Sequence, residues 1–364
     1  MKVAFITDND AYSGIWRQNY SLFNWLKKQW VDIDLINLYV PARFKWEPST
    51  KHIKSNIFNT YFLSFLYGVK YVFPKELKKL LKDWKYTHVI LWHQFLAYLY
   101  PALSKLNIKR IIIIHDLCLF YKENKGLWDI IYEKLLMKHL DKFENLVFIS
   151  DFTKDDYIRY YNNLKNKNYK TIYQWIDKQK VNNEIKETLI KKNNLKDKKI
   201  FLNVWSEDPR KNIKTFLEIA KNFKGKKDMV FIRVWKKSPE SEDYIKEHKV
   251  DNVLYLKWLS DDELIALYNL SDAVISTSLY EWYWRQIFEW HLYSKYTITS
   301  DVSDVKKIFK WDKSVYIIDN PYDIQEYCES INEILRNRWS SKKSINIQNS
   351  QKEILEYCTF LIDK

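Results

Sequence analysis

Residues 273–289 read AVISTSLYEWYWRQIFE, an apolar run followed by a polar loop and the start of a helical segment. The run Ala273–Ser276 is short and apolar, which is typical of a strand buried in a parallel sheet. Glu281 and Glu289 flank seven residues at the entry to the helix. The stretch therefore predicts a strand, a loop at the carboxyl end of that strand, and a helix.

The same unit recurs along the chain. Apolar runs that predict buried strands fall into two series, Val3–Ile6, Ile33–Ile36, His88–Leu91, Ile111–Ile114, Leu146–Ile149 and Thr171–Tyr173, then Ile200–Val204, Val230–Val234, Leu254–Leu256, Ala273–Ser276, Thr297–Thr299 and Tyr316–Ile318. Predicted helices between them include Tyr20–Lys28, Trp128–Leu140, Lys211–Phe223 and Asp261–Leu270. Ser260 and Glu263 predict a capping box at the start of the last of these. Because strands and helices alternate, we predict an α/β protein with doubly wound parallel sheets.

The length of 364 residues favours two domains. The polar segment Lys178–Lys199 separates the two series of strands and places the boundary near residue 178. We predict Rossmann-like domains over 1–178 and 179–345 that face each other across a cleft, with ligands at the carboxyl ends of their strands. The tail 346–364, helical over Ser350–Leu361, is expected to pack back on the N-terminal domain.

The formal net charge is +14, which suggests a polyanionic partner, although lysine, asparagine and isoleucine are abundant enough for a coding bias to explain it. The chain carries no recognised nucleic-acid module, so we expect no nucleic-acid partner. The start of the chain does not resemble a signal peptide, and no apolar window is long enough to span a membrane. The three cysteines lack metal-ligand spacing. These features favour the cytoplasm.

Region 61–85 leaves two interpretations open. The aromatic run Tyr61–Tyr67 precedes a basic amphipathic helix over Lys75–Lys85. The pair has the composition of a peripheral contact with an anionic inner membrane face. A surface helix packed beside a core segment has the same pattern.

Several segments carry a resemblance to one enzyme family. The loop SLYEWYWRQIFE at 278–289 resembles the Ser-x-x-Glu-Gly-aromatic-Gly signature, with its second glutamate, of the retaining nucleotide-sugar glycosyltransferases of family 4. Matching segments in the same order are SGIWR at 13–17, ISDFTK at 149–154, IYQWID at 172–177, NVWSEDPRKN at 203–212 and LKWLSDDEL at 256–264. The resemblance spans almost the whole chain and implies the GT-B fold. It also implies transfer of a sugar from a nucleotide diphosphate to a saccharide or lipid-linked acceptor, with retention and without metal or cofactor.

The resemblance implies donor-site roles for residues of the C-terminal domain. Glu289 would accept hydrogen bonds from the ribose hydroxyls and Glu281 would lie near the transferring sugar, although two glutamates at a helix start are also an ordinary feature. Lys211 would neutralise the diphosphate. The family often places an arginine where Ser206 stands here, and Arg210 would substitute for it.

Further residues are implied less directly. Trp282, Trp284 and Arg285 lie in the donor loop, where Arg285 either contacts phosphate or is solvated. In the N-terminal domain, His115 of the His-Asp pair would lie near the donor sugar, and His93 also follows a predicted strand; either histidine could instead be structural. On the acceptor side, the resemblance implies Gly14 and Trp16 in the glycine loop after the first strand.

Tryptophan stands where the family has glycine or a small residue at ten positions, Trp16, Trp30, Trp175, Trp205, Trp235, Trp258, Trp282, Trp284, Trp290 and Trp311. The chain has 16 tryptophans and only 4 glycines, whereas an average chain of this length has roughly 25 glycines. A tryptophan in the donor loop would insert a side chain of roughly 150–250 Å² where backbone N–H groups should approach the diphosphate. We favour the interpretation that these positions are encoded by UGA codons, which the cell reads as glycine.

Two other classes of function remain open. Genuine tryptophans in the donor loop would favour a catalytically dead relative that acts as a binding or scaffold protein. Nucleotide-sugar epimerases share the GT-B architecture, but the two-glutamate loop favours sugar transfer.

Overall fold

The computed structural model describes residues 1–7, 22–29, 31–38, 50–52, 73–117, 126–127, 130, 133–134, 138–162, 164–173, 179–281, 285–336, 356 and 359–360. The chain divides into two compact units. The first unit comprises Met1–Trp175 with Gln348–Lys364, and the second comprises Ile176–Ile347. The boundary lies within three residues of position 178, where the polar segment begins.

The first unit is built on a parallel sheet of seven strands in the order β3-β2-β1-β4-β5-β6-β7. The strands are β1 Lys2–Thr7, β2 Asp32–Asn37, β3 Thr50–His52, β4 His88–Leu91, β5 Lys109–Ile114, β6 Asn145–Phe148 and β7 Asn168–Thr171. The described helices are α1 at 22–28, α2 Phe73–Asp83, α3 Tyr100–Leu103 and α4 Asp151–Tyr161, with short 3-10 helices at Gln94–Leu99 and Leu140–Lys142. The central strands are almost wholly apolar and buried, because parallel sheets are covered on both faces.

The second unit has a parallel sheet of six strands in the order β10-β9-β8-β11-β12-β13. The strands are β8 Lys199–Asn203, β9 Met229–Val234, β10 Val253–Leu256, β11 Ala273–Ser276, β12 Tyr296–Ser300 and β13 Val315–Ile318. The helices are α5 Asn183–Lys192, α6 Ile213–Asn222, α7 Pro239–Glu247, α8 Asp261–Leu270, α9 Arg285–Tyr293, α10 Val305–Phe309 and α11 Ile324–Arg336, and a 3-10 turn covers Pro209–Lys211. The strand order reverses between β8 and β11, so the loops after these strands are where ligands bind in folds of this class.

The predicted alternation is confirmed, and most strands agree with the sequence pattern to within two residues at each end. Strands β4 and β11 have the predicted bounds. The capping box of Ser260 and Glu263 is also present, with the Ser260 Oγ accepting from the Glu263 backbone at 3.2 Å and the Glu263 carboxylate accepting from the Ser260 backbone at 2.7 Å.

Both edge strands of the first sheet differ from the prediction. The strand predicted at Thr171–Tyr173 is Asn168–Thr171, and β3 was not predicted at all. Each lies at an edge of the sheet, where a strand need not be apolar on both faces. Apolarity therefore signals the central strands and misses these two.

Two helix predictions need correction in the second unit. The helix predicted from Lys211 begins at Ile213, because Asn212 has a φ of +50° and cannot continue a right-handed helix. The polar segment that separates the domains contains α5, whose first turn is capped by the Asn182 side chain.

Of the helix predicted over Trp128–Leu140 in the first unit, the described residues 130, 133–134 and 138–139 are helical.

The described residues of the C-terminal tail contact the first unit. The Lys109 ammonium donates to the Phe360 carbonyl at 3.0 Å, and Lys170 lies 3.8 Å from the Glu356 carboxylate. Residues 356, 359 and 360 are helical, and the rest of the tail lies outside the described residues.

The basic amphipathic helix is α2, which begins and ends two residues before the predicted Lys75–Lys85. Its Leu77 and Leu81 are buried in the first unit. The aromatic run Tyr61–Tyr67 lies outside the described residues. Among the described helices, none is both long enough and apolar enough to cross a bilayer.

Candidate functional site

The site in the second unit is carried by the loops after β8 and β11, the two neighbouring strands at the reversal of strand order. The loop after β8 enters the 3-10 turn that presents Arg210 and Lys211. Asp208 caps this turn, since its side chain accepts from the Arg210 backbone N–H at 3.0 Å. A capped turn fixes the direction in which the two basic side chains leave the main chain.

Main-chain contacts join the two loops independently of any charge. The Leu279 N–H donates to the Arg210 carbonyl at 2.7 Å. The Thr277 hydroxyl donates to the carbonyls of Lys211 and Asn212, both at 3.0 Å. The turn and the segment 277–281 therefore form one continuous rim at this edge of the sheet.

Both basic side chains contact the carboxylate of Glu281. The Lys211 ammonium bonds to Glu281 Oε1, and Arg210 Nη1 lies 3.0 Å from Glu281 Oε2. The side chains of Lys211 and Glu281 are only 3% and 5% exposed. Charge-assisted hydrogen bonds between side chains this buried are stronger than the same contacts in water. We call Arg210 and Lys211 the clamp, and these three residues the clamp triad.

Burial lowers the pKa of the Lys211 ammonium from 10.5 to about 8, and the Glu281 carboxylate partly opposes this shift. The ammonium also lies 3.1 Å from the centroid of the Trp205 ring, and Trp205 packs edge-on against Trp290 with ring centroids 5.1 Å apart. One side of Lys211 is therefore closed by an aromatic ring and the other by a carboxylate.

A second ion pair, whose arginine is buried and whose glutamate is half-buried, supports the loop after β8. Arg233 of β9 is 0% exposed, and its guanidinium bonds to Asn203 Oδ1 and, at 2.9 Å, to Glu207 Oε1. Glu207 Oε2 accepts the Ser241 hydroxyl at 3.0 Å and the Ser238 hydroxyl at 3.4 Å. Sequence reasoning missed this network, although an arginine inside the apolar strand MVFIRV was a visible signal.

The remaining predicted donor-side residues are placed as follows. Glu289 is half-buried on α9, and Ser206 is half-buried in the loop after β8. Arg285 is the first residue of α9, but its side chain is outside the described part of the structure. Trp282 and Trp284 also lie outside the described residues.

In the first unit, the predicted His115 follows β5 at the carboxyl edge of that sheet. It is 3% exposed, and its Nε2 lies 2.9 Å from the Trp92 carbonyl. A carbonyl only accepts, so Nε2 carries the proton and donates it. Burial and the neighbouring His93 lower the pKa of His115 to about 3, so the ring is neutral at physiological pH. The His115 backbone N–H donates to Gln94 Oε1 at 3.0 Å.

His93 is also buried, and its Nδ1 accepts the Phe95 N–H at 3.1 Å as the cap of a 3-10 helix. This contact is a structural role for His93. The predicted acceptor-side residues Gly14 and Trp16 lie outside the described residues.

The tryptophans at family-glycine positions have unlike surroundings. Trp205 and Trp290 are buried, whereas Trp235, Trp258 and Trp311 are 49%, 90% and 85% exposed. Trp258 has a φ of +61°, a left-handed conformation that strains a bulky side chain and suits glycine. Trp16, Trp30 and Trp175 lie outside the described residues, as do the two in the donor loop.

The clamp triad has the chemistry of an anion site. Two cations converge on one carboxylate at the carboxyl edge of a parallel sheet, beside the loop that enters α9. Within the described ranges, no three His, Cys, Asp or Glu side chains are grouped to hold a metal.

Comparison with protein families assigns both halves of the chain. The model of Glycosyltransferase Family 4 matches residues 12–180, and the model of Glycosyl transferases group 1 matches residues 185–353. The chain carries the two domains of a GT-B glycosyltransferase. No curated protein matches this glycosyltransferase significantly.

Solved structures share the fold of this glycosyltransferase. A glycosyltransferase from Rickettsia africae is 15% identical with a TM-score of 0.75, over 100% of this chain and 99% of that one. Sucrose-phosphate synthase from Thermosynechococcus elongatus is 16% identical with a TM-score of 0.73, over 92% of this chain and 90% of that one. The Anabaena protein HepE, in complex with UDP and glucose, is 15% identical with a TM-score of 0.69, over 99% and 97%. At these identities the likeness establishes the GT-B fold.

Proposed function

We propose that this glycosyltransferase moves a sugar from a nucleotide-diphosphate sugar to a saccharide or lipid-linked acceptor, with retention of configuration. The observation that carries the proposal is the convergence of Arg210 and Lys211 on one buried anionic position after β8 and β11. A diphosphate has the charge and the oxygen acceptors to bind both cations. Glu289 on the neighbouring helix α9 would accept hydrogen bonds from the ribose hydroxyls.

The clamp would act on the leaving group. The bond between the sugar's anomeric carbon and the phosphate oxygen breaks as the acceptor hydroxyl oxygen forms its bond to that carbon on the same face. The departing phosphate oxygen takes the proton of the acceptor hydroxyl. Negative charge that builds on the diphosphate is neutralised by Lys211 and Arg210, so the proposed reaction needs no metal.

Binding of nucleoside diphosphates to the whole chain tests the donor site. UDP is the first ligand to try, because the Anabaena neighbour is recorded with UDP and glucose. We expect calorimetry to detect UDP binding to the unaltered protein, and Lys211→Ala and Glu289→Ala to weaken it at least about tenfold. Lys214→Ala is the matched control, because Lys214 is exposed on α6, three residues beyond the clamp. Equal affinities in all four proteins would refute the donor site.

We also propose that the cell places glycine at the family-glycine positions. The left-handed backbone of Trp258 supports this proposal, since that conformation costs glycine nothing. A tandem mass spectrum of the native protein over residues 281–290 is the test. Glycine at 282, 284 and 290 is the expected result, and tryptophan at all three would favour the binding or scaffold role instead.

The product would enter polysaccharide biosynthesis at the cytoplasmic face, and region 61–85 would supply a peripheral contact with the membrane. Lysines of α2 support that contact electrostatically, whereas buried Leu77 and Leu81 limit the apolar surface available to it. Co-sedimentation with vesicles containing anionic lipid, against neutral vesicles, is the measurement. Equal pelleting with both would remove the membrane from the proposal.

A further inference from the structure

The clamp is occupied by the protein's own carboxylate. Glu281 Oε1 bonds to the Lys211 ammonium, and Glu281 Oε2 lies 3.0 Å from Arg210 Nη1, so one carboxylate contacts both cations. A ligand phosphate needs the same donors. An incoming anion and Glu281 therefore compete for one position.

Glu281 competes strongly with a ligand anion because the clamp triad is shielded from water. The side chains of Lys211 and Glu281 are 3% and 5% exposed, so little water screens their attraction. Lys211 can therefore turn to a new anion only when Glu281 moves.

We propose that Glu281 is an internal competitor that sets the affinity of the clamp for anions, and that ligand binding releases it from Arg210 and Lys211. This inference rests on the proposed donor site and assigns a regulation to it. In the ligand-free state the ion pair holds the site closed. A diphosphate displaces Glu281 because it offers both cations more negative charge than one carboxylate does.

The expected gain in anion affinity follows from a two-state equilibrium between an open clamp and a clamp closed by Glu281. Apparent affinity falls by the fraction of molecules whose clamp is open. If the closed form is favoured about tenfold, removing the carboxylate raises anion affinity about tenfold. Every anion that needs the clamp gains by the same factor, because the competitor is the same for all of them.

The contacts that form the rim around the clamp do not depend on the charge of Glu281. The contacts of Leu279 with Arg210, and of Thr277 with Lys211 and Asn212, do not involve the Glu281 side chain. Gln at position 281 keeps the size of the side chain and one acceptor oxygen. Glu281→Gln therefore removes the competing charge while leaving the two loops joined.

The experiment titrates inorganic pyrophosphate and, separately, inorganic phosphate into the unaltered protein and Glu281→Gln by calorimetry. It is run at about pH 6, below the pKa of about 8 of Lys211 in the unaltered protein, because loss of the Glu281 carboxylate lowers that pKa further. We expect Glu281→Gln to bind pyrophosphate about tenfold more tightly and phosphate to gain by a similar factor. Unchanged or weaker pyrophosphate binding in Glu281→Gln would overturn the inference.

Asp208→Asn is the matched control, since the Asp208 carboxylate also contacts the Arg210 guanidinium, at 3.3 Å, but its side chain is 43% exposed. Asp208 meets Lys211 through its backbone carbonyl, which accepts the Lys211 N–H at 2.8 Å and is unchanged in the variant. We expect a change of less than about threefold, as for exposed pairs. An equal gain in Asp208→Asn would mean that general electrostatics, and not competition at the clamp, explains the result. Asn still caps the turn, so this variant keeps the fold.

Two further outcomes separate this inference from the proposed function. If pyrophosphate and UDP bind neither the unaltered protein nor Glu281→Gln, the donor site itself is wrong. If the unaltered protein binds both and Glu281→Gln shows no gain, only the inference fails. Where Glu281→Gln lacks a cooperative melting transition, Glu281→Asp replaces it, because a shorter carboxylate reaches Lys211 less well and should give a smaller gain.

Discussion

The carboxyl edges of the two sheets hold buried polar groups of opposite electrical character. In the second unit the groups are ionised, with Lys211 and Glu281 paired at the clamp and Arg233 paired with Glu207 behind it. In the first unit the corresponding edge holds the neutral imidazole of His115, which is bonded to a main-chain carbonyl. The clamp offers full charges to a ligand, and His115 offers a dipole.

The comparison separates what the fold supplies from what the residues supply. A parallel sheet places its functional loops at the carboxyl ends of the strands in both units. The charge of the residues in those loops then decides the chemistry. We expect the second unit to handle the diphosphate and the first to handle uncharged hydroxyl-bearing groups.

Breaking the ion pair of the buried Arg233 in the second unit should give the largest effect on stability. Arg233→Met leaves the Glu207 carboxylate without its cation, and removal of one partner of a buried pair costs about 3 kcal/mol. The free energy of urea unfolding is the measurement. Arg233→Met with Glu207→Gln should recover much of the loss, and a double variant as unstable as the single one would contradict this account.

The pH dependence of anion binding sharpens the comparison at the clamp. The pKa of Lys211 in the ligand-free protein is about 8, below its ordinary value, so the ammonium is charged below pH 8 and loses its proton above it. Above about pH 8 pyrophosphate affinity should fall by up to about tenfold per pH unit, because the charged fraction of Lys211 falls by that factor. Lys211→Arg should keep its affinity in alkaline solution, since arginine stays charged. A flat profile for the unaltered protein up to pH 10 would show that Lys211 does not bind the anion.

Substitution of the neutral His115 in the first unit should change the free energy of unfolding less than Arg233→Met does. His115→Phe removes the Nε2 hydrogen bond and leaves the Trp92 carbonyl without that donor, which costs about 1 kcal/mol in unfolding free energy. The pKa of His115 is about 3, so this residue adds no step to any activity profile between about pH 5 and 8. A step in that range that disappears in His115→Phe would contradict the neutral assignment.

The smallest effect is expected at an exposed tryptophan of the second unit. Trp258→Gly relieves a φ of +61° and removes a side chain that is 90% exposed, so it should stabilise the protein by up to about 1 kcal/mol. Trp311→Gly is the control, since Trp311 is 85% exposed without a positive φ. Thermal melting that shows equal shifts for both variants would remove the backbone explanation.

The sequence predicts the fold where apolarity decides it and fails where it does not. The bounds of central strands such as β4 and β11 were predicted correctly because both faces of these strands are buried. Edge strand β7 is polar and was misplaced, since an edge makes no such demand. The start of α6 was predicted two residues early because only the φ of Asn212 marks it.

The candidate site follows the same division. A family motif indicates that Arg210, Lys211 and Glu281 lie near one another, but the sequence does not indicate that they bond to each other. Pairing of Arg233 with Glu207 joins residues 26 positions apart on different elements, and no local pattern encodes such a contact. Long-range geometry of this kind is fixed by the packed sheet.

The pairing of β8 with β11 also has a consequence for folding. Asn203 Nδ2 donates to the Ile275 carbonyl at 2.8 Å across 72 positions of sequence, with β9 and β10 between them in the chain. Contacts between such distant segments form slowly, because the intervening chain must be ordered first. A chain emerging from the ribosome therefore cannot complete the rim around Arg210 and Lys211 until residues 277–279 are available to bond with it.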